Sequence, residues 1–234
     1  MYGKDFCRVY NEFGWNYYPE AFGEQLGIWL LGHPLPGKTA LDIGCGTGVL
    51  CRILKEMGFK VTGIDLSEDM IDIARNAGSG IDFEVADMVT YRPEGSVDLV
   101  TCTGDALNHL SDISYVERMI GNVYGFISPG GYFVFDVLNG REGRSDEPFE
   151  LERRGDVRVV LQITREGCVT TLHVSTYKEN ELLFEEKVVE TFYEPDSIRE
   201  LLRSAGFEDI TCEDSLNPVS SGHGTTLFFT ARHP

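Results

Sequence analysis

Leu41-Asp42-Ile43-Gly44-Cys45-Gly46-Thr47-Gly48, followed by Val49-Leu50, is the stretch on which the reading of this chain turns. Ahead of it, Lys38-Thr39-Ala40-Leu41 ends apolar, as a buried strand does. Behind it, Val49, Leu50, Ile53, Leu54 and Met57 recur at helical spacing, and Gly58 offers a stop. Three glycines therefore fall in a turn between a strand and a helix. They leave the main chain bare and accept dihedrals that other residues resist. A ligand can lie there against bare peptide at the positive end of a helix. The turn has the makings of a cofactor cradle.

A dinucleotide fingerprint orders its glycines G-x-G-x-x-G/A. Counted from Gly44 the third position falls on Val49, and counted from Gly46 it falls on Cys51. Asp42 also stands at the strand end, where a carboxylate repels a pyrophosphate but suits the ammonium group of an amino acid moiety. The octet, with Asp42, Gly44, Gly46 and Gly48 together, resembles motif I of the class I S-adenosylmethionine-dependent methyltransferases. That resemblance implies an α/β fold: a Rossmann-like seven-stranded, mostly parallel sheet with helices on both faces and the last strand antiparallel. It implies S-adenosylmethionine as cofactor, S-adenosylhomocysteine as product, and a cofactor contact from Cys45 beside the glycines.

Size and charge narrow the field. A chain of 234 residues, 42% hydrophobic and 25% charged, suits one α/β domain with elaborations. No apolar run approaches the roughly 20 residues of a membrane span. Met1-Tyr2-Gly3-Lys4-Asp5 does not open a signal peptide, so the expectation is a cytoplasmic protein with no membrane partner. Six cysteines without a C-x-x-C pair read as reduced thiols, with no metal framework. A formal charge of −18 repels polyphosphates, which makes nucleic acid a poor partner; a small-molecule acceptor fits.

Further along, strands keep ending in carboxylates. Phe59 to Ile64 leads to Asp65, 23 residues beyond Asp42, about where an acidic residue accepts ribose hydroxyls. Ser67 can cap the next helix, with Glu68 and Asp69 in its first turn, leaving Asp65 for that task. Leu66 and Met70 are then placed for the adenine, though both also suit a core. Ile81, Phe83 and Val85 alternate before Ala86-Asp87-Met88, where the resemblance implies an acidic residue on the adenine amino group and an apolar one on its ring. Three such strand ends line one edge of a parallel sheet, the edge where α/β ligands bind.

The fourth strand, Ser96 to Cys102, leads into Thr103-Gly104-Asp105-Ala106-Leu107-Asn108-His109. Asn/Asp-Pro-Pro-Tyr and Pro-Cys sequences are both missing here, and the stretch looks like that of small-molecule methyltransferases. The resemblance puts Thr103 on the cofactor and Asp105 and Asn108 near the acceptor. His109 is the general-base candidate, since imidazole titrates near neutrality. Pro129-Gly130-Gly131 turns the chain into a fifth strand, Tyr132 to Val137, whose Asp136 needs a partner that the sequence does not name.

The chain then divides into an N-terminal helical cap (1–36), a cofactor core (38–138), a β insertion or lid (141–193) and a C-terminal helix with two strands (195–234). All four belong to a single methyltransferase domain. In the cap the resemblance implies tyrosines over the cofactor and acceptor: Tyr10 and Tyr18 on the first, Tyr17 on the second, with ordinary packing the alternative. Three alternating runs, Val157 to Ile163, Val169 to Thr176 and Leu182 to Val188, read as an antiparallel meander. It covers the acceptor or makes an oligomer contact, such as a homodimer. Two other function classes stay open, an NAD-type oxidoreductase and a non-catalytic S-adenosylmethionine-binding regulatory protein.

Overall fold

The computed structural model describes residues 6–7, 10, 17–138, 147–216 and 226–234. Its main sheet runs β10-β11-β5-β4-β1-β2-β3. The middle of that order is built from β1 (Thr39–Ile43), β2 (Lys60–Asp65), β3 (Asp82–Val85), β4 (Val97–Cys102) and β5 (Ile127–Leu138). These five pair in parallel. β11 (Thr226–Arg232) runs antiparallel to both β5 and β10 (Glu208–Glu213). The sequence steps outward from β1 to β3 and then returns to the other side of β1 with β4. At that switch point the crossovers leave a crevice at the carboxyl ends of β1 and β4.

Helices cover both faces, each stitched by an apolar stripe. Helix α1 (Tyr17–Leu30) buries Phe22 and Leu26, and Gly23 lets it press against α2 (Val49–Glu56), because an added Cβ would come within 2.9 Å of Ile53. With α3 (Glu68–Asn76), these helices pack Leu50, Leu54, Ile71 and Ala74 against Ala40, Leu99 and Val134. On the opposite face, α4 (Ile113–Phe126) and α5 (Pro195–Ala205) bring Val116, Ile120, Ile198 and Leu202 against Leu41, Ile43, Val100, Phe133 and Phe135. The strands thus feed alternate residues into two cores, as central strands with both faces covered must. Ser67 and Asp112 cap α3 and α4 by accepting main-chain N–H groups of Met70 and Ser114.

A second sheet, β6-β7-β8-β9, lies between β5 and α5 in the chain and is antiparallel throughout. It comprises β6 (Phe149–Arg154), β7 (Val157–Glu166), β8 (Val169–Lys178) and β9 (Glu181–Thr191). Three of these strands match the expected meander; β6 was not expected. Its sequence, Phe-Glu-Leu-Glu-Arg-Arg, is too charged to announce a strand, and pairing with β7 makes it one. The fifth strand also begins earlier than the glycines suggested. Pro129-Gly130-Gly131 lies inside β5, where the pairing with β4 slips between Val97 and Leu99. Phe13, Trp15 and the glycine-rich Ser220 to Gly224 connection lie outside the described residues.

Candidate active site

At the end of β1 the chain turns through Gly44, Gly46 and Gly48, with φ of 68°, 53° and 75°. These are left-handed values that glycine takes without strain. The three do different work. A Cβ on Gly44 would sit 2.7 Å from the Ala106 Cβ, and one on Gly48 would sit 2.7 Å from the Phe83 ring. Gly46 has no atom within 4 Å of that position, so it faces open space and is where a ligand can reach the main chain. Cys45 is buried, and its N–H donates to the Ile64 carbonyl, binding the turn to β2.

Asp65, at the tip of β2, completes this corner. Its Oδ2 accepts the Gly46 N–H at 2.9 Å and its Oδ1 accepts the Ser67 N–H at 2.8 Å. The residue remains partly exposed. Burial pushes its pKa up, against the pull of those amides and of nearby His109. Beside it, Leu66 and Val85 are apolar and open, 51% and 46% exposed. Val85 pairs with Asp65 across β2 and β3. It was missed because Ile81, Phe83 and Val85 alternate like core residues. Asp87 is exposed, with Oδ1 accepting the Val89 N–H at 2.8 Å, and Met88 is half-buried against the core.

Several expected contacts are redirected. Asp42 is turned into the protein: Oδ1 accepts the Thr101 hydroxyl at 2.7 Å and Oδ2 the Cys51 thiol at 3.2 Å. Burial raises its pKa to about 6, and it braces β1 against β4 and α2 where the sequence suggested an ammonium partner. Met70 is 2% exposed and packs inside, whereas Leu66 stays open. Asn108 is 0% exposed, and each end of its amide holds a main-chain partner. Its Nδ2 donates to the Thr191 carbonyl at 2.8 Å, and its Oδ1 accepts the Leu138 N–H at 3.0 Å. It joins β9 and β5 from a position closed to solvent.

The far side of the crevice is built by the segment after β4 and by β9. Thr103 is half-buried at its start. Asp105 precedes the 3-10 turn Ala106–His109, and its carboxyl hydrogen-bonds that of Glu190 on β9. Burial raises both; the hydrogen bond to Glu190 pulls Asp105 back down, while the Asp105 charge pushes Glu190 further up, so the pair holds a proton near neutrality. Glu190 was missed, although it continues the inward row Phe184, Glu186 and Val188. His109 is ringed by protein atoms but reaches solvent. Its Nδ1 lies 3.3 Å from the Val189 carbonyl, and desolvation lowers its pKa.

The tyrosines divide. Tyr18 on α1 donates its hydroxyl to Asp136, the partner that the sequence left unnamed. Tyr10 is half-buried, 6.3 Å from Phe6, in an apolar cluster with Val159, Leu161 and Val174 of the second sheet. Burial, with Asp105 and Asp65 nearby, raises its hydroxyl pKa to about 12. Tyr17 is 67% exposed at the start of α1. Two depressions of about 180 Å³ each lie on the second sheet, lined in part by His173 and Lys187, away from the glycine turn.

Comparisons with known proteins agree with this geometry. The chain is 36% identical over 110 residues to the ubiquinone biosynthesis O-methyltransferase of Coxiella burnetii, a match covering 45% of each. It therefore spans about half the length of the curated relatives it matches. Among solved structures, an S-adenosylmethionine-dependent methyltransferase from Clostridium acetobutylicum superposes with a TM-score of 0.82 at 20% identity, covering 96% of this chain and 98% of that one. An S-adenosylmethionine-bound amino pentose methyltransferase from Micromonospora echinaspora gives 0.78 at 21%, covering 100% and 98%. A profile of the methyltransferase-domain family matches residues 24–212, most of the chain, from α1 through the glycine turn to β10. This protein belongs to that methyltransferase family.

Proposed function

We propose that the protein transfers a methyl group from S-adenosylmethionine to a small-molecule acceptor. One observation carries the reading: the Gly46 amide and the Asp65 carboxylate form a single hydrogen-bonded corner at the open edge of the sheet. Gly46 is the member of the turn with space beside it. The cofactor, when bound, supplies an electrophilic methyl on a positively charged sulfur.

The chain's own residues then have these tasks. Asp65 accepts the ribose hydroxyls. Leu66, Val85 and Met88 wall the adenine, and Asp87 meets its amino group. Gly44, Cys45, Gly48 and Thr103 shape the floor, and Tyr10 helps close the site from the N-terminal side. Tyr17, Asp105 and Glu190 face the acceptor side. His109 is held neutral by its surroundings, which suits a base for an acceptor hydroxyl or ammonium. Alignment and exclusion of water carry most of the rate, since well-oriented reactants gain roughly 7–11 kcal/mol of barrier reduction.

The second sheet, with Phe6 and Tyr10 packed on it, acts as the wall over the acceptor. A reducing cytoplasm suits a chain whose six cysteines form no disulfide, and no helix among the described residues is long and apolar enough to cross a membrane. Thermal unfolding with ligand tests the cofactor. S-adenosylhomocysteine at 100 times its dissociation constant should add about 2.7 kcal/mol of stability. Stabilisation by NADH and none by S-adenosylhomocysteine contradicts the proposal. An amino sugar and a catechol, offered with S-adenosylmethionine carrying a labelled methyl group, then show whether nitrogen or oxygen receives it.

A further inference from the structure

Asp136 presents a problem of charge. It is 0% exposed, and among the described residues no cation figures among the main influences on its charge. What replaces a cation is a set of oriented donors. The main-chain N–H of Gly104 donates to Oδ2 at 2.9 Å, and that of Asp105 donates to Oδ1 at 2.8 Å. The Tyr18 hydroxyl donates to Oδ2 as well. Successive N–H groups aimed at one point make an anion-binding concavity, and here a carboxylate of the same chain fills it.

The consequence falls on the segment after β4. Gly104 and Asp105 both take left-handed dihedrals, φ 71° and φ 53°. For Asp105, which carries a Cβ, that conformation is disfavoured and persists only where its surroundings dictate it. The Asp136 carboxylate supplies the dictation by accepting both N–H groups. With the backbone held so, the Asp105 side chain meets Glu190 on β9, and the 3-10 turn carrying His109 starts at the next residue. Tyr18 fastens helix α1 to the same carboxylate. One buried group thereby joins the N-terminal helix, the segment after β4 and, through Asp105, the second sheet.

We propose that Asp136 is a positioning residue for methyl transfer, fixing the left-handed turn at Gly104 and Asp105 that sets the acceptor side of the site. The proposal rests on the methyltransferase reading of the glycine turn but concerns a different corner of the crevice. The groups facing Asp136 are Tyr18 from α1, Asp105 from the turn and the Cys102 thiol at the end of β4, with Glu190 reached through Asp105. None of the hydrogen-bonded contacts of Asp65 or Gly46 involves it.

The test compares the full chain with Asp136→Asn and Tyr18→Phe. An asparagine keeps the shape but presents one nitrogen where an acceptor is needed, so the two N–H groups can no longer both be satisfied. Three readouts are used: titration with S-adenosylhomocysteine, amide exchange at Gly104 and Asp105, and steady-state transfer to whichever of the amino sugar and the catechol is methylated. For Asp136→Asn, exchange at the two amides should quicken at least about tenfold. Its kcat should fall about 100-fold, with KM and the S-adenosylhomocysteine dissociation constant within about threefold of the parent, since small misplacements cost rate before binding. Tyr18→Phe leaves both amide contacts and should keep their protection. Unchanged exchange in Asp136→Asn, or an unchanged kcat, overturns the proposal, and so does a loss shared equally by kcat and cofactor affinity. If the parent chain fails to bind S-adenosylhomocysteine, the methyltransferase reading is what fails, and the exchange result still judges the turn.

Discussion

Two turns at neighbouring strand ends use the same device to opposite ends. After β1, the Gly46 N–H donates to the carboxylate of Asp65 on β2; after β4, the Gly104 and Asp105 N–H groups donate to the carboxylate of Asp136 on β5. Both turns are left-handed. The difference is access. Asp65 is partly exposed, beside a glycine that faces open space. Asp136 is enclosed and takes three donors. An open carboxylate on an amide turn is ready for a ligand; a closed one shapes the protein. The pattern of atoms is shared, and solvent access decides the use.

Gly48→Ala breaks the first turn most severely. The new Cβ would fall 2.7 Å from Phe83 with the backbone at φ 75°. A left-handed alanine costs about 1–2 kcal/mol, and overpacking adds about 1–3 kcal/mol. Chemical denaturation should show the sum, with the denaturant dependence unchanged; a loss under about 0.5 kcal/mol, the ordinary surface range, would mean the turn relaxes freely.

The second turn is sharpened by pH. Burial lifts Asp136 to about 7, well above the usual carboxylate range, so the folded protein binds more protons than the unfolded chain between about pH 4 and 7. Its contribution to stability is complete below pH 4 and is lost as pH rises through 7. Between pH 8 and pH 6, a group titrating at 7 gains the folded state about 1.4 kcal/mol on acidification. Asp42 and the Asp105–Glu190 pair act in the same direction. Thermal unfolding should therefore move upward as pH falls from 8 to 6, and the rise should be shallower in Asp136→Asn. A flat profile in the parent would show that Asp136 is not carrying an elevated pKa.

The same contrast explains what the sequence could show. The first turn is local: Asp42, the three glycines and the strand-ending Asp65 lie close along the chain, and each residue type states its purpose. The second is assembled from a distance. Tyr18 lies 118 residues from Asp136, and Gly104 lies 32 residues away. No spacing rule links them. Asn108 shows the complementary error, since its amide suits a ligand until the main chain of β5 and β9 is seen to occupy both ends. Asp42 misled in the same way, its partners Thr101 and Cys51 being supplied by a strand and a helix that meet only in the fold. Glu190 was within reach, because the two-residue period of β9 places it on the inward face with Val188.

The most direct test is calorimetric titration of S-adenosylhomocysteine into the parent chain and Asp65→Ala. Loss of hydrogen bonds to a charged acceptor should weaken binding by about 1.5–3 kcal/mol, a rise of about 10- to 150-fold in the dissociation constant. An unchanged constant in a folded variant would remove Asp65 and its glycine corner from the cofactor site.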